Sequence, residues 1–352
     1  MWCTIALGLV GAVGPAGCGG APEVGDDGRI HFSESTSQTY EIGPSDAYLD
    51  QLDERVSFGS IIDVLATPSG YFVADGLDPR IVLLDRNLDP LRIVGGEGEG
   101  PGEYKFPSRL VRAGDRILVL DGGNDRVTYL TLEGGFVDSQ RIPGLASDIA
   151  LHEELGLLVA GNAFPDYYLA RVTAQGDTGF GRIPEELRVD AGGLFRWPWD
   201  LVTVTADGVI HVLDADQLAL VSFRPTGELA SVIFLPREMR ARKLNSTQEA
   251  EEALGGPTRV LGTQSVTTLG SLEDGRLFAR ITSVRPDSVT TKGLVLDPER
   301  LEAIPLVFPV REDRSWVRGG LYLDGLRRAV LTEPQGGLGL KTAPVKLVAR
   351  DP

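Results

Sequence analysis

Five acidic or amide side chains follow short apolar runs, and they are of the types that bind a divalent cation: Asp75, Asp121, Asn124, Asn162 and Asp214. Carboxylate and amide oxygens are the ligands that Ca2+ prefers in proteins. If these side chains meet at one opening of the fold, they would hold Ca2+ or another divalent ion. Such a site would support a metal-assisted hydrolase or lactonase, which is one of two functions that the sequence leaves open.

A second set of residues is aromatic. Segment 194–200 carries two of the four tryptophans within three positions. Together with Phe164 and Tyr167 from an earlier loop, Trp197 predicts an aromatic wall, and Tyr104 and Arg196 complete the candidate binding set. Rigid rings beside carboxylates suit sugars, cations or the hot spots of a protein partner. The alternative is that the tryptophans pack inside the fold.

Residue sets for nucleophilic or zinc catalysis are not recognisable in the sequence. His31 stands in the N-terminal tail, and His152 and His211 stand in separate strand units, so a three-histidine zinc site is not expected. The G-x-S-x-G pattern is absent, and no Ser–His–Asp set can be identified. The second function that the sequence leaves open is a binding or scaffold module, which needs no cofactor.

The elements that must position these residues are short strands in a repeat. A Gly- or Asp-containing turn before an apolar run occurs six times, at 69–70, 114–115, 155–156, 207–208, 274–275 and 324–325. A second turn occurs between these copies only five times. Each unit then has four strands, which we call A, B, C and D. A period of roughly 40–50 residues built from short strands is typical of a β-propeller.

The unequal numbers of the two turns leave the last unit without its outer strand. Segment 37–42 alternates apolar and polar residues and can supply that strand, which would close the ring and leave no free edge there. We therefore predict an all-β fold over residues 36–352. It is a six-bladed β-propeller of four-stranded antiparallel blades, and an N-terminal strand closes the last blade.

Because successive strands alternate in direction, the A–B and C–D turns lie on one face of such a ring. The B–C loops and the D–A connections between blades lie on the other face, which we call the loop face. Longer loops on a rigid ring are the usual place for recognition. The loop face is therefore the predicted binding surface.

Two B–C loops share an Asp-Gly start and an arginine five positions later, in Asp75–Arg80 and Asp121–Arg126. This pattern resembles the NHL-type repeat, in which the Asp and Arg tie neighbouring strands together. Segment 95–107, GGEGEGPGEYKFP, resembles a segment of bacterial six-bladed propellers related to NHL and TolB-like repeats. The resemblance implies a propeller and an exported protein, often a lipoprotein, but it implies no reaction.

One connection departs from the all-β pattern. Ser246 and Glu249 form a capping box at the start of an amphipathic helix, and two glycines at 255–256 end it. We predict a helical insertion at about 237–256, which projects over the loop face.

The first residues form a separate unit. An apolar run at 5–13 precedes Pro15-Ala16-Gly17-Cys18, which resembles a bacterial lipoprotein signal. Residues 1–17 would be the signal peptide, Cys18 would carry the lipid, and residues 18–35 would form a tether. The alternative is an ordinary secretory signal. Either version places the protein in the bacterial cell envelope, at the outer membrane or in the periplasm.

The net charge of -16 argues against a nucleic-acid partner, because a phosphate-binding face needs clustered Lys and Arg. The expected partner is an envelope protein, a peptide or a glycan. We expect a monomer that touches the membrane only through its lipid anchor.

Overall fold

The computed structural model describes residues 24–25, 27–49, 56–188, 200–236, 264–285, 288–307, 321–332 and 339–349. These residues form 26 β-strands and two single-turn 3-10 helices, Gly122–Asn124 and Glu185–Leu187. In these ranges there is no α-helix, and no helix has the length and apolarity to cross a membrane. The predicted signal peptide, Cys18 and the predicted helical insertion at 237–256 lie outside the described residues.

Four separate sheets have four antiparallel strands each, in the predicted A-B-C-D order. The first has β4 (Ile61–Thr67), β5 (Gly70–Asp75), β6 (Arg80–Leu84) and β7 (Pro90–Val94). The second has β8 (Pro107–Ala113), β9 (Arg116–Asp121), β10 (Arg126–Thr131) and β11 (Phe136–Arg141). The third has β12 (Ala146–His152), β13 (Gly156–Gly161), β14 (Tyr167–Val172) and β15 (Thr178–Arg182). The fourth has β16 (Leu201–Val204), β17 (Ile210–Asp214), β18 (Ala219–Phe223) and β19 (Leu229–Phe234).

The other ten strands form one larger sheet. One antiparallel set in it is β20 (Gln264–Ser271), β21 (Leu277–Arg285), β22 (Ser288–Asp297) and β23 (Glu302–Val307). A second set is β24 (Leu321–Asp324), β25 (Arg328–Thr332) and β26 (Leu340–Ala349). The N-terminal region adds β1 (Ser33–Glu34), β2 (Gln38–Ile42) and β3 (Ala47–Leu49).

Strand β2 lies between these two sets and pairs with both. It runs antiparallel to β26, from Gln38 opposite Ala349 to Ile42 opposite Val345, as the sequence predicted. It also runs parallel to β23, where Tyr40 lies opposite Leu306. The second pairing was not predicted, and it merges the two sets. The described residues therefore form four separate blades and one ten-stranded sheet, rather than six separate sheets.

The apolar core lies between neighbouring strand sets, as in a propeller. Ile81 of the first sheet and Ile117 of the second belong to one buried cluster, and five similar clusters join the other neighbouring sets of the described chain. The ring closes where Val73 of the first sheet packs in one cluster with Val330 of β25 and Leu340 of β26.

The A–B turns lie at one end of the strands and define a turn face. Gly70 fixes the first of these turns, because its φ is +153° and a Cβ there would come within 1.9 Å of the Leu84 carbonyl oxygen. The B–C loops and D–A connections lie at the opposite end, which is the loop face.

The segment before β2 packs on the ring. Phe32 is buried in the core, Ser33 of β1 pairs with Glu302 of β23, and the Arg29 guanidinium lies 4.6 Å from the centre of the Phe234 ring. Part of the segment that the sequence predicts as the tether, residues 30–35, therefore packs against the described strands of the ring.

Candidate functional site

Two buried aspartates fix the segments that enter the first two blades on the loop face. Asp75, at the end of β5, accepts hydrogen bonds from the backbone N–H groups of Gly59 (2.9 Å) and Ser60 (2.8 Å). Asp121, at the end of β9, accepts the equivalent pair from Lys105 and Phe106, both at 3.0 Å. Each carboxylate therefore fastens the end of a D–A connection to the B strand of the blade that it enters.

The third blade repeats this arrangement with an amide. Asn162 accepts a hydrogen bond at 3.0 Å from the N–H of Leu145, which directly precedes β12. The entry residues Ser60, Phe106 and Leu145 thus occupy equivalent places in three consecutive blades. Their backbones are rigid because each is held by a side chain from the strand end beside it.

The arginines of the repeated loop motif complete the same structure. Arg80 Nη2 lies 3.7 Å from Asp75 Oδ2, and Arg126 Nε lies 3.3 Å from Asp121 Oδ2. All four side chains are largely buried. In each loop the Asp and the Arg five positions later thus form a buried ion pair between the B and C strands of one blade.

The glycine-rich connection after β7 is held down by the second blade. Arg126 donates hydrogen bonds to the carbonyl oxygens of Glu99 (2.8 Å), Gly100 (3.0 Å) and Glu103 (2.6 Å). Asn124 donates to the Gly98 carbonyl at 2.9 Å. The connection is therefore held against the second blade, and three of its carbonyl oxygens accept hydrogen bonds from the Arg126 guanidinium.

The five metal-ligand candidates are not gathered into one site. Asp75, Asp121 and Asn162 accept hydrogen bonds from backbone N–H groups at the entry to their own blades. Of the set, Asn124 and Asp121 contact each other, because Asn124 Nδ2 donates to Asp121 Oδ2 at 2.6 Å as well as to the Gly98 carbonyl. Asp214 accepts hydrogen bonds from the Tyr168 hydroxyl (2.8 Å) and the Asp216 N–H (3.0 Å). Within the described ranges, no three His, Cys, Asp or Glu side chains come close enough to ligate one ion.

The aromatic candidates have different environments. Phe164 and Tyr167 are half-buried in the B–C loop of the third blade and at the start of β14. Tyr104 is fully buried in the core, where burial raises the pKa of its hydroxyl. Its ring is therefore not at the surface where a ligand would meet it. Trp197 and Arg196 lie outside the described residues.

Three large apolar side chains that the sequence did not single out are exposed on the loop face. They are Leu77, Phe106 and Leu145, with exposed fractions of 74%, 45% and 60%. The Phe106 ring lies beside the first B–C loop, because a Cβ placed on Gly76 would come within 3.4 Å of it. The face thus presents apolar groups on backbone segments that the Asp and Asn side chains hold in place.

A belt of charges around the central channel was also missed. Asp63, Arg109 and Asp148 directly follow β-bulges at the same point of three consecutive inner strands. Arg109 Nε donates to Asp148 Oδ1 at 2.8 Å, and its Nη1 lies 3.6 Å from Asp63 Oδ2. The only sequence signal is spacing, since Asp63 and Arg109 each stand 12 residues before Asp75 and Asp121.

The belt also joins the backbones of neighbouring blades. Asp63 accepts a hydrogen bond from the Leu110 N–H at 2.8 Å, and Asp148 accepts one from the Val202 N–H at 3.0 Å. Burial raises the pKa of Asp63 despite the nearby Arg109. These bonds make the inner ring stiff, which keeps the loop face in one geometry.

No protein-family model matches the chain. A Bacteroides vulgatus member of the DUF4221 family has a TM-score of 0.60 at 9% identity, covering 89% of this chain and 99% of that one. A Bacteroides fragilis protein described as exported gives 0.57 at 14% identity, covering 89% and 96%. Virginiamycin B lyase from Staphylococcus aureus gives 0.51 at 9% identity, covering 88% and 100%. At these identities the likeness shows the propeller fold alone.

Proposed function

We propose that this protein is an exported six-bladed propeller that binds an envelope protein, a peptide or a glycan through its loop face. The observation that carries this proposal is the exposure of Leu77, Phe106 and Leu145 on backbone segments fixed by Asp75, Asp121 and Asn162. Exposed apolar groups on a rigid scaffold lose little conformational entropy when a partner covers them.

The six-blade count treats the ten-stranded sheet as two blades that share the strand β2. Two observations support it. The sets β20–β23 and β24–β26 each pack against their own neighbour in the ring, and a separate apolar cluster lies between them. Strand β2 takes the outer position beside β26, so the last blade has four strands when β2 is counted in it.

Export is supported by the apolar run before Cys18 and by the similar fold of the Bacteroides fragilis protein. In this proposal residues 1–17 are removed and Cys18 carries a lipid, so the segment from 18 to about 29 links the membrane to the domain. The NHL and TolB-like resemblance of the repeats agrees with that location. The net charge of -16 disfavours a nucleic-acid partner, because the protein would repel the phosphates.

Binding of purified protein lacking residues 1–23 to arrays of envelope glycans and of peptides tests the proposal. The wild type is compared with a loop-face double variant, Phe106→Ser with Leu145→Ser. Its matched control is Leu91→Ser with Leu229→Ser, which changes exposed leucines (62% and 42%) on the outer strands β7 and β19. A third variant, Trp197→Ala, tests whether the tryptophan that the sequence predicts to bind the ligand contributes to affinity.

We expect saturable binding to a defined class of glycan or peptide, lost in the loop-face double variant and kept in the outer-strand control. A folded wild-type protein that binds nothing on either array would count against the proposal. So would equal loss of binding in the two double variants.

A further inference from the structure

The inner strands β4, β8, β12, β16, β20 and β24 surround a cavity of about 930 Å3 in the central channel. It reaches from the charged belt at Asp63 and Arg109 to the A–B turns at Pro68 and Gly325. It therefore opens toward the turn face, on the opposite side of the ring from the loop face. We call it the channel cavity.

The rim of the channel cavity carries arginines in excess of acids. Arg86 pairs with Asp324, and Arg328 pairs with Asp46. Arg112 and Arg327 also line the cavity, and neither has an acidic partner within the described part of the chain. Glu273 is a further acid in the lining, so the rim has four arginines against Asp324 and Glu273, a local excess of positive charge in a protein whose net charge is -16.

Two buried polar atoms without a hydrogen-bond partner among the described residues lie near the inner end of the cavity, one in its lining and one in the strand behind it. They are Thr268 Oγ1 and Arg280 Nη1, in side chains that are 8% and 9% exposed. Thr268 lines the cavity and lies opposite Arg280 in the β20–β21 ladder. The Arg280 guanidinium lies 4.8 Å from the centre of the Tyr322 ring, which also lines the cavity.

Unsatisfied buried donors are costly, and a ligand oxygen that reaches them recovers that cost. A cation would gain nothing from the unpartnered N–H of Arg280, whereas an anionic oxygen accepts from both groups. The two donors favour an acceptor oxygen at the inner end, and the positive charge of Arg280 favours an acceptor that carries negative charge. The Asp63 carboxylate, which also lines the cavity, is already paired with Arg109.

The walls between rim and floor include several aliphatic side chains. Leu65, Val111, Leu151 and Val204 line the channel cavity and remain partly or fully exposed. Apolar walls with a few convergent polar groups are typical of small-molecule sites, and this volume is within their usual range. The shape suits a compound with an apolar body and one charged end.

We propose that the channel cavity binds a small organic anion, which places a carboxylate, sulfonate or phosphate group near Thr268 and Arg280. The rim arginines Arg112 and Arg327 attract the anion, and the aliphatic side chains of the walls cover its body. This site is separate from the loop face, so the two ligands bind independently.

Two fluorescent probes of the same shape test the charge requirement. 8-Anilinonaphthalene-1-sulfonate is an anion, and N-phenyl-1-naphthylamine is its neutral counterpart. We expect saturable binding of the anion that weakens as salt is raised, and much weaker binding of the amine. 1-Naphthyl phosphate and 1-naphthylacetate should displace the bound anion, whereas 1-naphthol should not.

Three variants assign the binding to the channel cavity. Arg112→Gln with Arg327→Gln should weaken anion binding at least about threefold at low salt, through lost attraction at the rim. Arg280→Met should weaken it at least about tenfold, because a charged hydrogen bond is removed. The matched control, Arg141→Gln with Arg182→Gln, changes exposed arginines at the ends of β11 and β15 and should bind normally.

Equal binding of the two probes would overturn the proposal, as would the absence of saturable binding of the anion. Unchanged affinity in the rim double variant would also overturn it, and that variant tests the site even if Arg280→Met does not fold. The loop-face variant should bind the probes as the wild type does, even where it no longer binds the arrays. The array experiment therefore tests the loop-face proposal, and the probe titrations test the channel-cavity proposal.

Discussion

Arg109 and Asp148 form a bidentate pair between the inner strands of two neighbouring blades. Arg109 Nε lies 2.8 Å from Asp148 Oδ1, and its Nη2 lies 3.2 Å from Asp148 Oδ2. On its other side, Arg109 approaches Asp63 of the preceding blade at 3.6 Å. One arginine therefore pairs with two buried carboxylates and connects three consecutive blades.

Removal of that arginine should destabilise the ring. Arg109→Met leaves Asp63 and Asp148 buried without their counter-ion, and we expect a loss of about 3–5 kcal/mol in the free energy of unfolding. Urea denaturation measures it. The exposed Arg141→Met is the control, with an expected change below about 0.5 kcal/mol. A loss under about 1 kcal/mol for Arg109→Met would mean that the belt contributes little.

Stability should fall as pH is lowered through the histidine range. Burial lowers the pKa of His211 from 6.5 to about 4. The folded state thus binds the proton less well than the unfolded state, so this contribution is complete above pH 6.5 and is lost between pH 6.5 and 4. The total is about 3 kcal/mol.

The variant His211→Gln separates this effect from the titration of carboxylates, which both proteins share. The ring of His211 contacts Ser222 (Nδ1 to Oγ, 2.9 Å) and Thr205 (Nε2 to Oγ1, 3.2 Å), and the glutamine amide can replace part of this bonding. Unfolding curves at several pH values should show a smaller loss for the variant between pH 6.5 and 4. Parallel profiles for the two proteins would contradict the assignment.

The strand that merges the two sets should be essential for closure. Ile42 is buried beside β26, and Ile42→Ala should cost about 2–4 kcal/mol. The exposed Ile93→Ala on β7 is the matched control and should change stability little. Deletion of residues 28–43 should lower the melting temperature much further, because it exposes the edges of both β23 and β26. A deletion variant that melts like the wild type would show that β2 does not close the ring.

The glycine-rich connection should open when its anchor is removed. Asp121→Ala leaves the N–H groups of Lys105 and Phe106 without their acceptor and Arg126 without its carboxylate. We expect trypsin to cleave after Lys105 at least about tenfold faster, since the local opening free energy falls by more than about 1.4 kcal/mol. Asp138→Ala, on the exposed strand β11, should leave the cleavage rate unchanged.

Much of the fold was predictable because it depends on local turn chemistry. Glycines such as Gly70 and Gly208 mark tight turns, and alternation identifies the strands between them. The N-terminal strand at 37–42 was also found from its alternation. Its second partner, β23, was not, because a parallel pairing between distant segments leaves no local pattern in either sequence.

The candidate site was less predictable. The aspartates at 75 and 121 were recognised as special, but the sequence alone left open whether they bind a metal or pair with the arginine five positions later. Their hydrogen bonds to backbone N–H groups were not predicted. The channel charges Asp63, Arg109 and Asp148 were missed because each lies alone in its own strand. Only the closed ring brings them together, so residue type and spacing within one blade cannot reveal them.

The most direct test of the central claim is calorimetric titration of the strongest array ligand with the two double variants. The account predicts that Phe106→Ser with Leu145→Ser weakens binding at least about tenfold, as loss of two interface side chains should. Leu91→Ser with Leu229→Ser should stay within about twofold of the wild type. The reverse order of affinities, in folded proteins, would contradict binding through the loop face.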